Sequence, residues 1–503
     1  MKSSVSLAGR ATLAVVLMIG FYLLALAMSL GLLYIPFAEF VYFHRLTPKL
    51  DLLCIVAGCA ILLSVMPRKD KFPAPGPLLT PEKSPRLFKE IEAIAQSVNQ
   101  EMPAEVYLVP DVNAWVAQRG GIMGFRSRRV MGLGLPLLRT LTRSQFRAVL
   151  AHEFGHYHGG DTKLGPWIFK TRNAIMRTLA SLGSGILQKP FLWYGKMFLR
   201  ITHAISRRQE FVADELAART VGSQPLITGL QTVHVTGSAY NAYWRNECLP
   251  VLQAGFRPPL AEGFNRFIQA VPIAKAMRAG IDEALQNGKA DPYDTHPPLK
   301  DRIAAVAALP AGEIPADDAP AITLLDDVPA LEQQLLHAMA GADKAGKLQP
   351  IDWPEVCGRV YLPQWTKLAA VNRAALAGIT PAALPSLAAD RKGLGRRFVY
   401  PNGESADEAN QESLAGGVIG AALVLALNQL GRPVAADPGE VIVVKNESWC
   451  LEPFNVLAAL AEGKLTAEAW AQQCTAAGLA GVDLGGVVAE EPVVVSPPPP
   501  PAI

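Results

Sequence analysis

The sequence predicts an α+β protein, mainly helical with a small sheet, preceded by an N-terminal transmembrane hairpin and followed by a small C-terminal α+β region. Three observations carry this. Two long apolar runs open the chain, Ala11 to Phe43 and Leu52 to Met66. Over residues 86–308, helical periodicity alternates with short β-branched runs. After an acidic, proline-rich stretch the pattern restarts over residues 331–488. Half of the 503 residues are apolar, and a mean hydropathy of +0.20 suggests membrane segments. A net charge of +3 leaves no general nucleic-acid footprint. None of the 6 cysteines forms a CxxC pair, which argues against a thiolate zinc site and a disulfide framework.

Residues 1–66 are read as the hairpin. Ala11 to Phe43 carries Glu39 as its only formal charge and holds a span of about 20 residues. Leu52 to Met66 is short for a span, but Lys49 and Asp51 can sit at the interface. The alternative is a re-entrant or buried helix. Basic residues flank the outer ends, Lys2 and Arg10 before, Arg68, Lys69 and Lys71 after, against Arg45 and Lys49 in the loop. This slight bias puts both ends in the cytoplasm. If the second run does not span, the main domain lies on the other side. Residues 67–85, with six prolines, form an extended linker.

The domain begins with a helix marked by Leu87, Ile91, Ile94 and Ala95. Val106 to Val109 reads as a buried strand, Asn113 to Val116 as another, and Val130 to Leu135 as a third. Gly120-Gly121 breaks the second strand. Thr142 to Gln145 fits a capping box, starting a helix with the apolar stripe Phe146, Val149, Leu150 and Phe154. Gly159-Gly160 ends it. Trp167 to His203 is apolar but interrupted by six basic residues. It reads as amphipathic helices resting on the membrane surface, or equally as helices packed on the domain core.

The helix after Thr142 carries His152-Glu153-Phe154-Gly155-His156. Two histidines four apart share a helix face and can reach one metal ion. Glu153 can take a proton from water on that ion. Catalytic zinc usually takes three protein ligands plus water, so one ligand is missing. Glu210 and Asp214, also four apart, are the best candidates. Glu210 can ligate, and Asp214 can accept the second ring N–H of a histidine ligand. Alone, such a pair is usually a solvated acidic face. His158 points off the His156 face and reads as a surface residue. His203 reads as packed or as an outer group. His44, His234 and His337 have no pattern around them.

Four stretches in order now resemble the M48 (Ste24/HtpX-like) family of membrane-associated zinc metalloendopeptidases, over roughly residues 86–306. They are Asn113-Ala114-Trp115, Ala148 to His156 with Gly160-Asp161, Glu210 to Asp214, and Asp294 to Ile303 with Thr295-His296-Pro297-Pro298. The resemblance implies a mainly helical zincin-like domain binding one Zn2+ through His152, His156 and Glu210. It implies Glu153 as general base and acid, Asp214 behind a ligand, and His296 and Arg302 near the substrate. It implies that the segment Asn113, Ala114 and Trp115 pairs with an extended peptide by β-augmentation. The apolar hairpin makes the chain an integral protein, of the bacterial inner membrane on this reading, in contact with the lipid bilayer and acting on membrane or membrane-near polypeptides, and the net charge leaves no nucleic-acid partner. Quality control of membrane proteins belongs to the same expectation. The few N-terminal spans speak against CAAX processing, and two clean spans after the zinc helix are missing. A peptide-binding scaffold without proteolysis is the rival from another class.

Residues 309–330 read as an acidic linker. Beyond it, Leu331 to Ala345 has a helical pattern. Arg397 to Tyr400 and Val441 to Val444 read as strands. Ala415 to Leu427 suits a buried helix better than a span. Trp449 to Leu460 opens another helical face. Residues 489–503, with five consecutive prolines, read as a disordered tail. No catalytic constellation appears in this third of the chain.

Overall fold

The computed structural model describes residues 7–66, 71–120, 127–157, 165–289, 294, 296–446 and 449–487. The expectations for His158, for the glycine stop at 159–160 with Asp161, for Gly121, for Thr295, for Arg68 to Lys69 and for the proline tail lie outside those residues. The chain forms two compact units that do not follow linear order. One comprises Met1–Gly237 and Arg278–Met339, the other Ser238–Met277 and Ala340–Ile503.

In the first unit, α1 (Leu7–Phe43) and α2 (Pro48–Val65) form the hairpin. Glu39 closes it, its Oε2 accepting from the Thr47 backbone N–H at 3.0 Å and the Thr47 hydroxyl at 2.8 Å. Thr12–Phe43 and Pro48–Val65 are both long and apolar enough to cross a membrane. Leu23, Leu30, Leu52 and Leu63 stay exposed, as a lipid-facing surface requires.

Two later helices pack on this hairpin. α6 (Gly165–Leu182) and the first half of α7 (Lys189–Val221) set Ala174, Ile175, Phe191, Tyr194 and Phe198 against Phe21, Ala25, Cys54 and Ile61. The Tyr194 hydroxyl donates to the Leu17 carbonyl at 2.7 Å. Ser64 and Thr178 share a hydrogen bond of 2.7 Å, and Arg177 donates to the Ser64 carbonyl at 2.9 Å. The sequence suggests a surface-lying or core-packed helix pair. The difference arises because Thr171, Ala174, Ile175 and Thr178 form a buried stripe with helical spacing while Arg172 faces out. A linear hydropathy run averages those two faces together.

The sheet runs β1-β2-β4-β3, from β1 (Leu78–Leu79), β2 (Glu105–Val109), β3 (Ala114–Arg119) and β4 (Arg128–Gly134). β2 and β4 are parallel, and β3 and β4 antiparallel with Ala114 opposite Leu133. β3 is therefore an edge strand. Its register decides which backbone groups face away. The Gly134 N–H donates to the directly opposite Asn113 carbonyl at 2.8 Å. By antiparallel alternation, Asn113, Trp115 and Ala117 bond toward β4 and Ala114, Val116 and Gln118 point outward.

α3 (Pro85–Ser97) buries Leu87, Ile91, Ile94 and Ala95. α4 (Leu135–Thr140) leads into α5 (Arg143–Gly155), whose capping box has both halves in place. The 309–330 stretch also engages the start of α5. Asp318 accepts from the Ser144 N–H at 2.9 Å and the Ala319 carbonyl from the Arg143 N–H at 2.9 Å. α8 (Ser223–Tyr243) follows α7, then α9 (Leu249–Gln253), α10 (Leu260–Gln269), α11 (Val271–Asn287) and α12 (Leu299–Val306).

The second unit is built round the helix Gln411–Gln429, which is also apolar enough to span. Here 72% of it is buried, so it serves as the core. Trp470 packs there and donates its indole N–H to the Pro381 carbonyl at 2.7 Å. Two expected strands shrink. Arg397 to Tyr400 makes a single bridge, Val399 to Ser405, because Phe398 turns fully into the core. Val441 to Val444 reduces to Val444–Lys445, paired with Cys450–Leu451. The helix expected from Leu331 runs over Val328–Ala340 and stops at Gly341, whose φ of +83° needs glycine.

Candidate metal centre

The centre is made by α5 lying close on α7. Gly155 makes that approach possible, since a Cβ there would stand 2.9 Å from the Ala213 Cα. The contact places His152 of α5 and His156, which caps its C-terminus, beside Glu210 and Asp214 of α7. His152 Nε2 lies 3.5 Å from Glu210 Oε2, and His156 Nε2 lies 3.6 Å from Glu210 Oε1. One donor atom from each residue falls within 4.8 Å of the others. Donors on a tetrahedral metal with bonds of about 2.0 Å stand about 3.3 Å apart, so the set fits one ion. Buried Glu210 Oε2 has cationic neighbours but no aligned hydrogen bond, as a metal-ligating oxygen would.

Behind the donors, His152 Nδ1 lies 2.9 Å from Asp214 Oδ1. That bond fixes the ring so that Nε2 faces the site. Asp214 is fully buried and is held in turn by Arg302 of α12, through Nε at 2.8 Å and a terminal nitrogen at 2.7 Å. His296 stands at the rim, its Nδ1 3.1 Å from Glu210 Oε2 and its side chain 59% exposed.

These contacts shift the titrations in distinct ways. Burial pulls His152 down, but the Asp214 and Glu210 carboxylates outweigh it and hold it up to about 9. Burial, then the His152 charge, pushes His156 down to about 4. Burial opposes ionisation of Glu210, yet His152 and His296 hold its carboxyl well below the usual range. Asp214 is lowered likewise against burial, by Arg302 and His152. Glu153 keeps some exposed surface but is crowded by protein, and that desolvation pushes it up to about 7. A general base near neutrality matches proton transfer near pH 7.

The structure brings His152, His156, Glu210, Asp214, His296 and Arg302 together, with Glu153 on the same helix turn. It places Arg302 on Asp214 and, with His296, in the wall of the neighbouring cavity. Of Asn113, Ala114 and Trp115, Ala114 alone turns its backbone outward. Val116 does so too and was not expected; only the strand register reveals it. Buried His203 lies on α7, seven residues before Glu210. A cavity of about 530 Å³ opens beside His296, its wall mixing Leu230, Val233 and Leu299 with Glu283, Lys289 and Arg302.

Comparison with known proteins follows the same residues. The profile of Peptidase family M48 matches residues 81–309. The chain is similar to Protease HtpX of Ectopseudomonas mendocina (strain ymp), 24% identical over 242 residues, 44% of this chain and 72% of the relative. It is similar to Protease HtpX of Pseudomonas putida (strain KT2440), 26% identical over 239 residues, 44% of this chain and 70% of the relative. Protease HtpX of Erwinia tasmaniensis is 29% identical over 171 residues, 29% of this chain and 57% of the relative. No solved structure matches the chain.

Proposed function

We propose that the chain, whose residues 81–309 match the profile of peptidase family M48, belongs to that family and is a membrane-anchored zinc metalloendopeptidase cutting internal peptide bonds. One observation carries the reading: three converging donors, His152, His156 and Glu210, with Glu153 beside them and Asp214 fixing a ring. Zinc, when bound, supplies a Lewis acid for the scissile carbonyl and lowers the pKa of water. An N2O donor set from two imidazoles and a carboxylate suits it.

The chain's own groups do the rest. The Glu153 carboxylate takes the proton of the attacking water and returns it to the leaving nitrogen. His296, exposed at the rim, can donate to the oxygen that gains charge. Arg302 acts through Asp214, keeping that carboxylate aimed at His152. The outward backbone of Ala114 and Val116 pairs with an extended substrate, which favours broad sequence tolerance. The cavity beside His296 accepts a substrate side chain.

The hairpin keeps the domain near the bilayer, so membrane-near polypeptides are the proposed substrates, with the domain on the cytoplasmic side. The test is metal analysis of the detergent-solubilised protein together with cleavage of an unfolded protein such as casein. We expect one zinc per chain and cleavage that Glu153→Gln abolishes while zinc is retained. A wild type without zinc, or a variant that cleaves equally well, would favour a peptide-binding scaffold. Activity restricted to prenylated C-termini would favour CAAX processing.

A further inference from the structure

The edge strand β3 is not open along its whole length. Val116 points its carbonyl away from β4 by register, and that carbonyl already has a donor: the Tyr157 hydroxyl, at 2.7 Å. Tyr157 directly follows His156, so one residue joins the metal-binding helix to the edge strand. The ring is held in place. The Arg129 guanidinium covers it at 4.6 Å from the centroid, and Arg129 donates to the Glu101 carbonyl at 2.9 Å. The Tyr157 backbone N–H is also engaged, by the Phe154 carbonyl at 2.9 Å.

A peptide strand added to β3 would put its own N–H about 2.9 Å from each outward carbonyl. At Val116 the tyrosine hydroxyl stands in that position. We propose that Tyr157 is a positioning residue that ends substrate pairing at Val116, so that an extended peptide bonds through Ala114 and the Val116 N–H and runs no further along β3. The inference rests on the protease reading and deepens it. The substrate it describes is a polypeptide with only a short extended stretch on one side of the cut, such as an exposed loop beside folded structure.

The experiment is a backbone scan on the zinc-loaded full-length protein in detergent. A cleavable peptide is made as a series in which single amides are replaced by esters, deleting one N–H at a time. Losing one paired N–H lowers kcat/KM roughly threefold to tenfold. For wild type we expect a single sensitive position on the Val116 side, the N–H that meets the Ala114 carbonyl. Lengthening the peptide past it gives no further gain. In Tyr157→Ala, a second sensitive position appears two residues further on, and longer peptides gain by a similar factor. Tyr157→Phe, which keeps the ring beneath Arg129, retains the wild-type end point because the ring still fills the space.

Two sensitive N–H positions two residues apart on that side in wild type overturn the proposal, whatever the variants do. So does a zinc-loaded Tyr157→Ala protein with the wild-type length profile. A uniform loss for every peptide assigns Tyr157 a purely structural role and overturns it as well. Failure of the protease reading looks different: wild type then lacks zinc or cleaves no peptide of the series.

Discussion

Asp214 holds Arg302 in a two-point fork, with contacts of 2.7 and 2.8 Å, and turns the same carboxylate to His152 at 2.9 Å. The pair is almost fully shielded, with 0% of the Asp214 side chain and 11% of the Arg302 side chain exposed. Removing the arginine strands a buried charge, a change that costs on the order of 3–5 kcal/mol. Arg302→Met is expected to lower Tm and to weaken zinc binding roughly 10–100-fold through the freed His152 ring. Competition with a calibrated chelator measures the affinity; unchanged affinity would remove Arg302 from the support of the site.

His296 gives the opposite signature. Its side chain is 59% exposed and contacts Glu210 from the rim. His296→Ala is expected to retain zinc and Tm while kcat falls by about 10²–10³, the usual loss for one donor to a developing oxyanion. Steady-state kinetics on one peptide, with zinc content in parallel, decide it. A change in KM alone would make His296 a binding residue.

Gly155 sets the helix spacing. The Cβ of Gly155→Ala would meet the Ala213 backbone at 2.9 Å, so α5 and α7 must part by several tenths of an ångström. The variant is expected to lose about 1–3 kcal/mol to overpacking. Gly155→Val should lose more and fail to retain zinc through gel filtration. A fully zinc-loaded Gly155→Val would mean that the site tolerates a wider separation.

Glu153 yields a pH test in the metal-free protein. Its carboxyl is raised from 4.5 to about 7 in the folded state. Between those values the folded form binds more protons than the unfolded form, so this group makes stability fall as pH rises. Glu153→Gln removes the effect. With chelator present, the variant's Tm advantage over wild type should grow from pH 4.5 to pH 7 and then level off. A flat difference would mean that the carboxyl is not desolvated.

Metal uptake should release a proton. Without metal His152 is held up to about 9, so it is protonated at pH 7 and must lose that proton to ligate. Calorimetric zinc titrations in buffers of different ionisation enthalpy should give a heat that varies with the buffer, close to one proton per zinc. A heat independent of buffer would show His152 already neutral.

Much of this site was legible in the chain because local rules govern it. The capping box at Thr142 and Gln145 states where α5 begins, and helical spacing states that His152 and His156 share a face. Glu210 and Asp214 share a face by the same spacing, but such a pair alone is usually a solvated acidic face. It was the combination with the upstream histidines and the family resemblance that singled it out. Arg302 was legible as a residue but not as a partner: its fork to Asp214 spans 88 residues and has no local signature. Tyr157 and Val116 were missed for a related reason. Which carbonyl of an edge strand faces out depends on a register set by β4, and a one-residue slip would reverse it. The short strand at Arg397 to Tyr400 failed because β-branched and aromatic residues fit a buried turn as well as a sheet.

α7 is one uninterrupted helix of 33 residues. Its Tyr194 is tied to Leu17 in the hairpin, and its Glu210 offers a ligand atom at the candidate metal centre. Sixteen residues of helix separate them, about 24 Å at 1.5 Å per residue. A rod of that pitch works as a ruler. On the protease reading, it fixes the distance between the hairpin and the bond to be cut, so a tethered substrate would be selected first by how far its exposed segment reaches and only then by its side chains.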